Sequence, residues 1–235
     1  MVKYKITVLI LIILLSSSNL FSAPAISLSE PGYDFGKVIQ HTTMTHTFWV
    51  KSIGNETLEI TQIVPGCGCT EVPLEDSVLA PGDSSKLEIV FSSKAFRGYV
   101  TKKPYLITNI SDDPVFIEIK AEVLTKTEQL EPLSLTPYKL DVSQFTQKPR
   151  RIAKFLIENQ SDQDYNLTLL DSSENLFKVS LPDKIKAGET LEGQVEVLKE
   201  MTEQQFEKSF TFKINDEKNT RFTMPVRRIY RVLNK

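Results

Sequence analysis

The sequence is poor in the residues that most catalytic and metal sites need. Among 235 residues there are only two cysteines, two histidines and one tryptophan. With two histidines, few Ser-His-Asp or Cys-His arrangements are possible. The G-x-S-x-G, H-E-x-x-H, P-loop and G-x-G-x-x-G motifs are all missing. We therefore predict that the protein is not an enzyme and that it holds no cofactor.

The chain also lacks a strong excess of either charge. Its formal net charge at pH 7 is −2, which is mildly acidic and gives no basic surface for nucleic acid or anionic lipid. After residue 25 no apolar run approaches the length that spans a bilayer. Composition therefore argues against nucleic acid as a partner and against a membrane span after the first 25 residues.

The one long apolar run lies at the N-terminus. Lys3 and Lys5 precede an unbroken apolar stretch at 6–15, and polar and small residues follow up to Ala23-Pro24-Ala25, which fits an A-x-A cleavage site. Ten residues of helix span about 15 Å, which is about half of a bilayer core, so an uncleaved anchor is disfavoured. We predict a signal peptide at 1–25 and a periplasmic, secreted or cell-envelope protein.

From residue 26 onward, apolar and polar residues alternate in short runs separated by Gly, Pro, Asn and Asp. Leu87, Ile89 and Phe91 fall on one face of a strand, and an earlier strand places His46, Phe48 and Val50 on one face. No window has the spacing of an amphipathic helix. This pattern is typical of short, half-buried strands and predicts an all-β protein.

The second half of the chain repeats the first at a nearly constant spacing. Phe155 and Ile157 correspond to Phe48 and Val50, and the turn at 187–189 corresponds to the turn at 81–83. The repeat predicts two tandem immunoglobulin-like, seven-stranded β-sandwiches after the signal peptide, at 26–125 and 130–235. The linker between them is short and contains no glycine, so we expect a restricted angle between the modules.

Both cysteines lie in one short segment, Pro65-Gly66-Cys67-Gly68-Cys69-Thr70. Residues i and i+2 of an extended chain are about 6–7 Å apart, at the edge of the Cα range for a disulfide. A turn permitted by the two glycines would close that gap, and the small ring would be strained and easily reduced. The corresponding segment of the second half, 171–175, has no cysteine, so the thiols have a local task.

Four interpretations of Cys67 and Cys69 stay open. They are a local structural disulfide or inert thiol pair, a chelate for copper(I) or zinc, a redox-active pair, and a cross-link to another chain. The metal interpretation needs more ligands, and the candidates are His41 and His46. For His46 we expect a core or rim position, and His41 is expected to be solvated.

Two further features bear on partners. Trp49 alternates with Phe48 and Val50, which places it on the outward face of its strand. It either packs against the other module or a loop, or anchors a partner interface, where tryptophan is enriched. The basic residues Arg227, Arg228 and Arg231 are expected to form a solvated tail.

The first module contains an ordered series of motifs: Tyr33-Asp34-Phe35-Gly36-Lys37-Val38, Gly54-Asn55, Cys67-Gly68-Cys69-Thr70 and Leu79-Ala80-Pro81-Gly82-Asp83. This series resembles the bacterial domain of unknown function 1573 (DUF1573) family, which is itself similar to Hydin-type (ASH) and major-sperm-protein-like sandwiches. The resemblance covers 26–125, whereas 130–235 match only the hydrophobic skeleton. It implies an exported bacterial immunoglobulin-like sandwich and no particular activity.

Two functional hypotheses follow from these patterns. The first is an exported, non-enzymatic binding or scaffolding protein of the bacterial envelope, whose partner is another envelope protein and whose speculative contact residue is Trp49. The alternative is a thiol-based metal carrier or redox factor that uses Cys67 and Cys69.

Overall fold

The computed structural model describes residues 22–231, and the regular secondary structure of these residues is almost entirely β-strand. The predicted leader lies outside the described residues except for its last four, 22–25. Strands of the N-terminal half are β1 (Ile26–Leu28), β2 (Gly32–Ile39), β3 (Thr43–Ser52), β4 (Leu58–Val64), β5 (Thr70–Glu71), β6 (Val78–Leu79), β7 (Ser84–Ser92), β8 (Gly98–Lys102), β9 (Tyr105–Thr108), β10 (Ser111–Phe116) and β11 (Glu118–Leu124).

The C-terminal half follows after a short 3₁₀ turn, Thr127–Gln129, and contains a second such turn at Lys199–Met201. Within 22–231 no helix is long and apolar enough to cross a membrane. Strands of this half are β12 (Leu133–Thr136), β13 (Leu140–Asp141), β14 (Ile152–Asn159), β15 (Tyr165–Ser172), β16 (Phe177–Ser180), β17 (Lys184–Ile185), β18 (Thr190–Val197), β19 (Phe206–Ile214) and β20 (Arg221–Arg228).

The N-terminal half is a sandwich of two sheets. One has the order β1-β3-β7-β5. In the other, β8 and β9 form one long hairpin with β10 and β11, because Phe116 pairs with Tyr105 and Ile119 with Lys102. This hairpin joins β2, on the β11 side, to β4 and β6, on the β9 side.

The C-terminal half repeats this topology strand for strand. Its first sheet is β12-β14-β18-β16, and its second contains β13, β20, β19, β15 and β17. In each half the last strand pairs in parallel with an early strand, β11 with the eight-residue β2 and β20 with the two-residue β13. Sheets of this order, antiparallel except for these pairs and packed face to face, form an immunoglobulin-like sandwich. The predicted all-β, immunoglobulin-like fold is confirmed.

Buried side chains form two hydrophobic clusters, one inside each half. The alternation that predicted the strands also selects their members, since Phe48, Ile89 and Phe91 are fully buried in the first cluster and Phe155 and Ile157 are almost fully buried in the second. Leu124, at the end of β11, packs with the second cluster rather than the first. The predicted domain boundaries at 125 and 130 stay predictions.

One sheet continues across both halves, a feature that the sequence pattern did not predict. Strand β2 lies between β11 of its own half and β20 of the other, with Lys37 opposite Phe222. Close by, the Thr223 hydroxyl donates to the Phe35 carbonyl oxygen over 2.6 Å. The Tyr138 hydroxyl accepts a hydrogen bond from the amide of Ile39, so backbone groups of β2 bond to side chains of the other half at this seam.

The expectation of a solvated basic tail is wrong for Arg228. This residue is in β20 and only 1% exposed. Its guanidinium donates to the carbonyl oxygens of Val142, Arg150 and Thr202, so backbone dipoles satisfy the charge. Burial lowers the pKa of this group. The local alternation of polar and apolar residues does not reveal this burial, because loops from other parts of the chain provide it.

Candidate functional site

Cys67 and Cys69 form a disulfide in the turn between β4 and β5, with their Cα atoms 5.2 Å apart. We call residues 66–70 the disulfide turn. Both sulfurs pack against the core of the N-terminal half, but unequally. Cys69 is 7% exposed and belongs to the hydrophobic cluster, whereas Cys67 is half-buried at its margin.

Two hydrogen-bond donors point at the Cys67 sulfur. The Cys69 amide donates to Cys67 Sγ over 3.3 Å. The Thr70 hydroxyl lies 3.3 Å from the same sulfur and 3.9 Å from Cys69 Sγ. A disulfide sulfur has no proton, so the hydroxyl must be the donor in both contacts. Cys67 Sγ therefore receives the closer and more numerous hydrogen bonds.

The chain around the disulfide leaves one side of it open. Gly66 has φ of +76°, a left-handed conformation that favours glycine, and begins the turn. Gly68 is exposed, and a Cβ built on it would meet no described atom within 4 Å. The Lys94 ammonium donates to the Gly68 carbonyl oxygen over 2.5 Å, which places a positive charge beside the turn. The turn is thus open to solvent at Gly68 and adjoins a cation.

The structure does not bring either histidine to the sulfurs. His41 is exposed, and its backbone amide bonds to the Lys94 carbonyl oxygen, but its ring makes no described hydrogen bond. Among residues 22–231 no three His, Cys, Asp or Glu side chains form a group that would hold a metal ion. The donor set around the two sulfurs does not fit a metal chelate in this oxidised form.

His46 instead lies at the junction between the two halves, 7% exposed. Its Nε2 is 2.8 Å from Glu30 Oε1, and its Nδ1 is 2.7 Å from Asp171 Oδ2, which belongs to the other half. The ring stacks on Tyr33 with centroids 3.6 Å apart. Each ring nitrogen therefore lies within hydrogen-bond distance of a carboxylate, one from each half. Burial raises the pKa of the Tyr33 phenol, which stays neutral beneath the ring.

Other polar contacts surround His46 at this junction. Thr45 and Ser209 exchange three hydrogen bonds of 2.9–3.2 Å, and both residues are buried. Lys208 and Glu88 form an ion pair of 2.5 Å, with side chains about a quarter exposed. Glu30 and Asp171 were not predicted as partners of His46. Only the position of His46 on an apolar strand face signalled that it needed buried partners.

A groove of about 700 Å³ lies next to this junction. Its charged side chains largely neutralise one another. Lys120 and Lys103 lie 2.5 and 3.3 Å from Glu118, and the two ammonium groups hold the pKa of that exposed carboxyl below its usual value. The Arg221 guanidinium is 5.6 Å from the Tyr33 ring and donates to the Asp34 carbonyl oxygen. The groove shows no excess charge for an ionic ligand.

Trp49 lies on the outer face of β3 and is 46% exposed. The Lys86 ammonium from β7 lies 5.6 Å from the centre of its ring. Trp49 is opposite Lys86, whereas the disulfide turn leads into β5, where Thr70 is opposite Phe91. Five residues of strand separate these positions, about 16 Å at 3.3 Å per residue. Trp49 and the disulfide are therefore two separate features.

Fold and site define an immunoglobulin-like β-sandwich protein with one small disulfide turn, present in the N-terminal half alone. Residues 26–123 match the family described as "Protein of unknown function (DUF1573)". The match covers the N-terminal half only, and there the resemblance seen in the sequence is confirmed.

No curated protein matches the sequence. Similar solved structures include a protein of unknown function from Porphyromonas gingivalis W83, with 12% identity over 86% of this chain and 98% of that one, and a TM-score of 0.36. The tandem Ig repeats of Dlar share 14% identity over 90% and 100% of the chains, with a TM-score of 0.38. Domains 5–6 of the S-layer protein SbsC share 12% identity over 88% and 99%, with a TM-score of 0.26.

Proposed function

We propose that this protein is a non-enzymatic binding or scaffolding element of the bacterial cell envelope, exported by its leader and built from two immunoglobulin-like modules. Its partner is another envelope protein. The observation that supports this proposal is the polar junction that joins the two halves, because it fixes the surfaces that each half presents.

The junction consists of interactions that tolerate little displacement. Thr45 and Ser209 bond reciprocally through backbone and side-chain atoms. His46 is held between carboxylates of both halves, and β2 pairs with β20. Buried hydrogen bonds are lost together when such an interface opens, and each unsatisfied group then costs free energy. The halves therefore act as one rigid unit, as a scaffold requires.

The contact surface that we assign is the outer face of β3 and β7 around Trp49. A half-exposed tryptophan beside the Lys86 ammonium offers an apolar ring and an adjacent cation, a combination suited to an anchor in an interface. Trp49 is on the same strand as Thr45 and His46, so the junction sets the orientation of this face.

The test compares two positions that correspond in the repeat. Leu156 occupies the position of Trp49 in β14 and is 48% exposed against 46% for Trp49. Tagged wild-type protein, Trp49→Ala and Leu156→Ala are cross-linked in the native envelope, captured and analysed by mass spectrometry. We expect Trp49→Ala to lose a specific partner by about tenfold or more, and Leu156→Ala to retain it.

Two outcomes contradict the proposal. Capture that is equal for all three proteins removes Trp49 from the interface. Loss of capture in both variants, with thermal unfolding unchanged, indicates that the captured proteins respond to general surface hydrophobicity rather than to the N-terminal half. The metal-carrier alternative is not advanced, because both thiolates that it needs are joined in the disulfide.

A further inference from the structure

We propose that Cys67 and Cys69 form an exchangeable disulfide that passes two electrons to or from the dithiol of another exported protein, and that Cys67 is the sulfur attacked. This activity goes beyond the proposed scaffolding role and does not depend on Trp49. It rests on three observations: the unequal exposure of the two sulfurs, the donors around Cys67, and the turn of the other half, which forms without sulfur.

Access distinguishes the two sulfurs. An attacking thiolate must approach a sulfur along the S–S axis, and attack is controlled by access as well as by the pKa of the thiols. Cys69 is packed in the core at 7% exposure, whereas Cys67 is half-buried beside the open side of Gly68. The incoming thiolate therefore reaches Cys67 Sγ first, and Cys69 Sγ is the leaving sulfur.

Reduction by a partner dithiol then proceeds in two displacements. The first partner thiolate bonds to Cys67 Sγ. The Cys67–Cys69 bond breaks, and its electron pair goes to Cys69 Sγ, which takes a proton from solvent. The second partner thiolate attacks the partner sulfur of this mixed disulfide, closes the partner's disulfide and releases Cys67 as a thiolate, which is then protonated. The partner dithiol is oxidised, and this disulfide gains two electrons and two protons.

The hydrogen-bond donors at Cys67 stabilise the negative charge that this sulfur acquires during exchange. In the second displacement Cys67 Sγ leaves as an anion, and hydrogen bonds to an ionised acceptor are stronger than bonds to a neutral one. The Cys69 amide and the Thr70 hydroxyl already lie 3.3 Å from this sulfur. The Lys94 ammonium, bonded to the Gly68 carbonyl oxygen, adds positive charge nearby. Nearby donors and cations lower the pKa of a thiol and make it a better leaving group.

The fold itself does not need the sulfur atoms. In the C-terminal half, Leu176 takes the place of Cys69, one residue beyond the 171–175 segment that the sequence pattern aligns with 66–70, and the Leu198 amide bonds to its carbonyl oxygen over 2.9 Å. The equivalent bond in the disulfide turn joins the Ser92 amide to the Cys69 carbonyl oxygen over 2.8 Å. The turns that lead to these positions differ, since the Thr70 amide bonds to the Cys67 carbonyl oxygen and the Phe177 amide to that of Ser173. Because the shared bond forms in the C-terminal half without sulfur, we expect it to persist when the disulfide is reduced, so that the pair cycles between two folded forms.

The first experiment measures the redox equilibrium of the cysteine pair in the full exported protein. Oxidised wild-type protein is equilibrated with mixtures of reduced and oxidised glutathione and then alkylated, and its intact mass is measured by mass spectrometry. We expect both forms of the pair to be populated within the series. A pair that stays fully oxidised in reduced glutathione alone is a structural disulfide and overturns the proposal.

The order of attack is tested on the reduced wild-type protein. Limiting N-ethylmaleimide followed by peptide mapping should place label on Cys67 about tenfold faster than on Cys69, in accordance with exposure and thiolate character. Equal labelling, or faster labelling of Cys69, overturns the assignment of Cys67. No substitution is needed here, so misfolding of a variant does not affect the result.

Thr70 is assigned as a positioning residue, and a pH profile tests it. In a Cys69→Ser background, the rate of Cys67 alkylation is followed against pH with Thr70, Thr70→Ser or Thr70→Val. We expect Thr70→Val to move the midpoint to higher pH, and Thr70→Ser, which keeps the hydroxyl, to retain the original midpoint. A purely structural role would leave the midpoint unchanged in both. Trp49→Ala should leave all these rates unchanged, so this activity and the scaffolding role can fail separately.

Discussion

The turns that follow β4 and β15 occupy the same place in the two halves but differ in content. Both lead into a short strand that pairs with the central strand of its sheet, β5 with β7 and β16 with β18. One is closed by Cys67 and Cys69, whereas the other places Leu176 against its core. A turn without sulfur, with Leu176 packed against the core, therefore leads the chain into an equivalent short strand, and the disulfide is particular to the N-terminal half.

A second difference separates the strands that face the junction. In β3, His46 meets carboxylates from both halves, whereas the corresponding residue of β14 is Ala153, which packs partly buried against its own core. The N-terminal half therefore uses a core-facing position of this strand for contact with its neighbour. The same strand displays Trp49 at its other end, so junction and proposed contact face are physically linked.

The largest expected loss of stability comes from replacing His46 of β3 with alanine, the residue that β14 has at the corresponding position. His46→Ala removes the donor that both Glu30 and Asp171 share and leaves a partly buried carboxylate pair unsatisfied. We expect the free energy of unfolding to fall by about 1–3 kcal/mol, the range for a polar group that loses its partner. Urea denaturation followed by fluorescence measures it.

Asp171→Asn serves as the matched control for His46→Ala, since it retains an oxygen acceptor for Nδ1 and removes only the charge. We expect a loss of about 1 kcal/mol for this variant. If His46→Ala changes the free energy of unfolding by less than the control does, the junction does not depend on the imidazole, and the rigid two-half scaffold loses its main support.

The cores of the two halves differ in one cross-strand pair, and this difference gives a smaller effect. Phe48 lies opposite Leu87, whereas Phe155 lies opposite Gly193. A Cβ on Gly193 would be 2.5 Å from Phe155 Cζ, so Gly193→Ala displaces a buried ring. We expect a loss of about 1–2 kcal/mol in a urea titration, as overpacking of a core usually causes.

Gly68→Ala is the control for this prediction, because the added Cβ meets open space. Its effect should lie within about 0.5 kcal/mol, as for most surface substitutions. Equal losses for the two glycines would mean that backbone entropy, and not the Phe155 contact, explains the presence of glycine at position 193.

Sequence alternation predicts the strands and their inward faces because burial in a sandwich follows a period of two. It therefore places Phe48, Trp49 and Val50 on the faces where the structure has them. The repeat predicts that β14 and β15 resemble β3 and β4, since each half has to bury the same kind of face.

Contacts between the halves follow no such local rule. His46 and Asp171 are 125 residues apart in the chain, and the pairing of β2 with β20 depends on how one half docks on the other. Burial of Arg228 likewise depends on carbonyl groups supplied by distant loops. The sequence predicted a possible disulfide between Cys67 and Cys69. It did not predict which sulfur is more exposed or which donors face it, because the folded sheets place Thr70 and Lys94.

The smallest expected change in stability concerns the two turns that follow β4 and β15. Cys67→Ser with Cys69→Ser makes the disulfide turn like its sulfur-free counterpart, and a ring of three residues restricts the unfolded chain by no more than about 1.6 kcal/mol. Urea denaturation without reductant should show a loss within this limit, and reduced wild-type protein should behave like the double variant. Partner capture through Trp49 should be unchanged. A loss well above 2 kcal/mol would contradict the comparison, because the sulfur atoms would then stabilise the fold in a way that the packing of Leu176 does not explain.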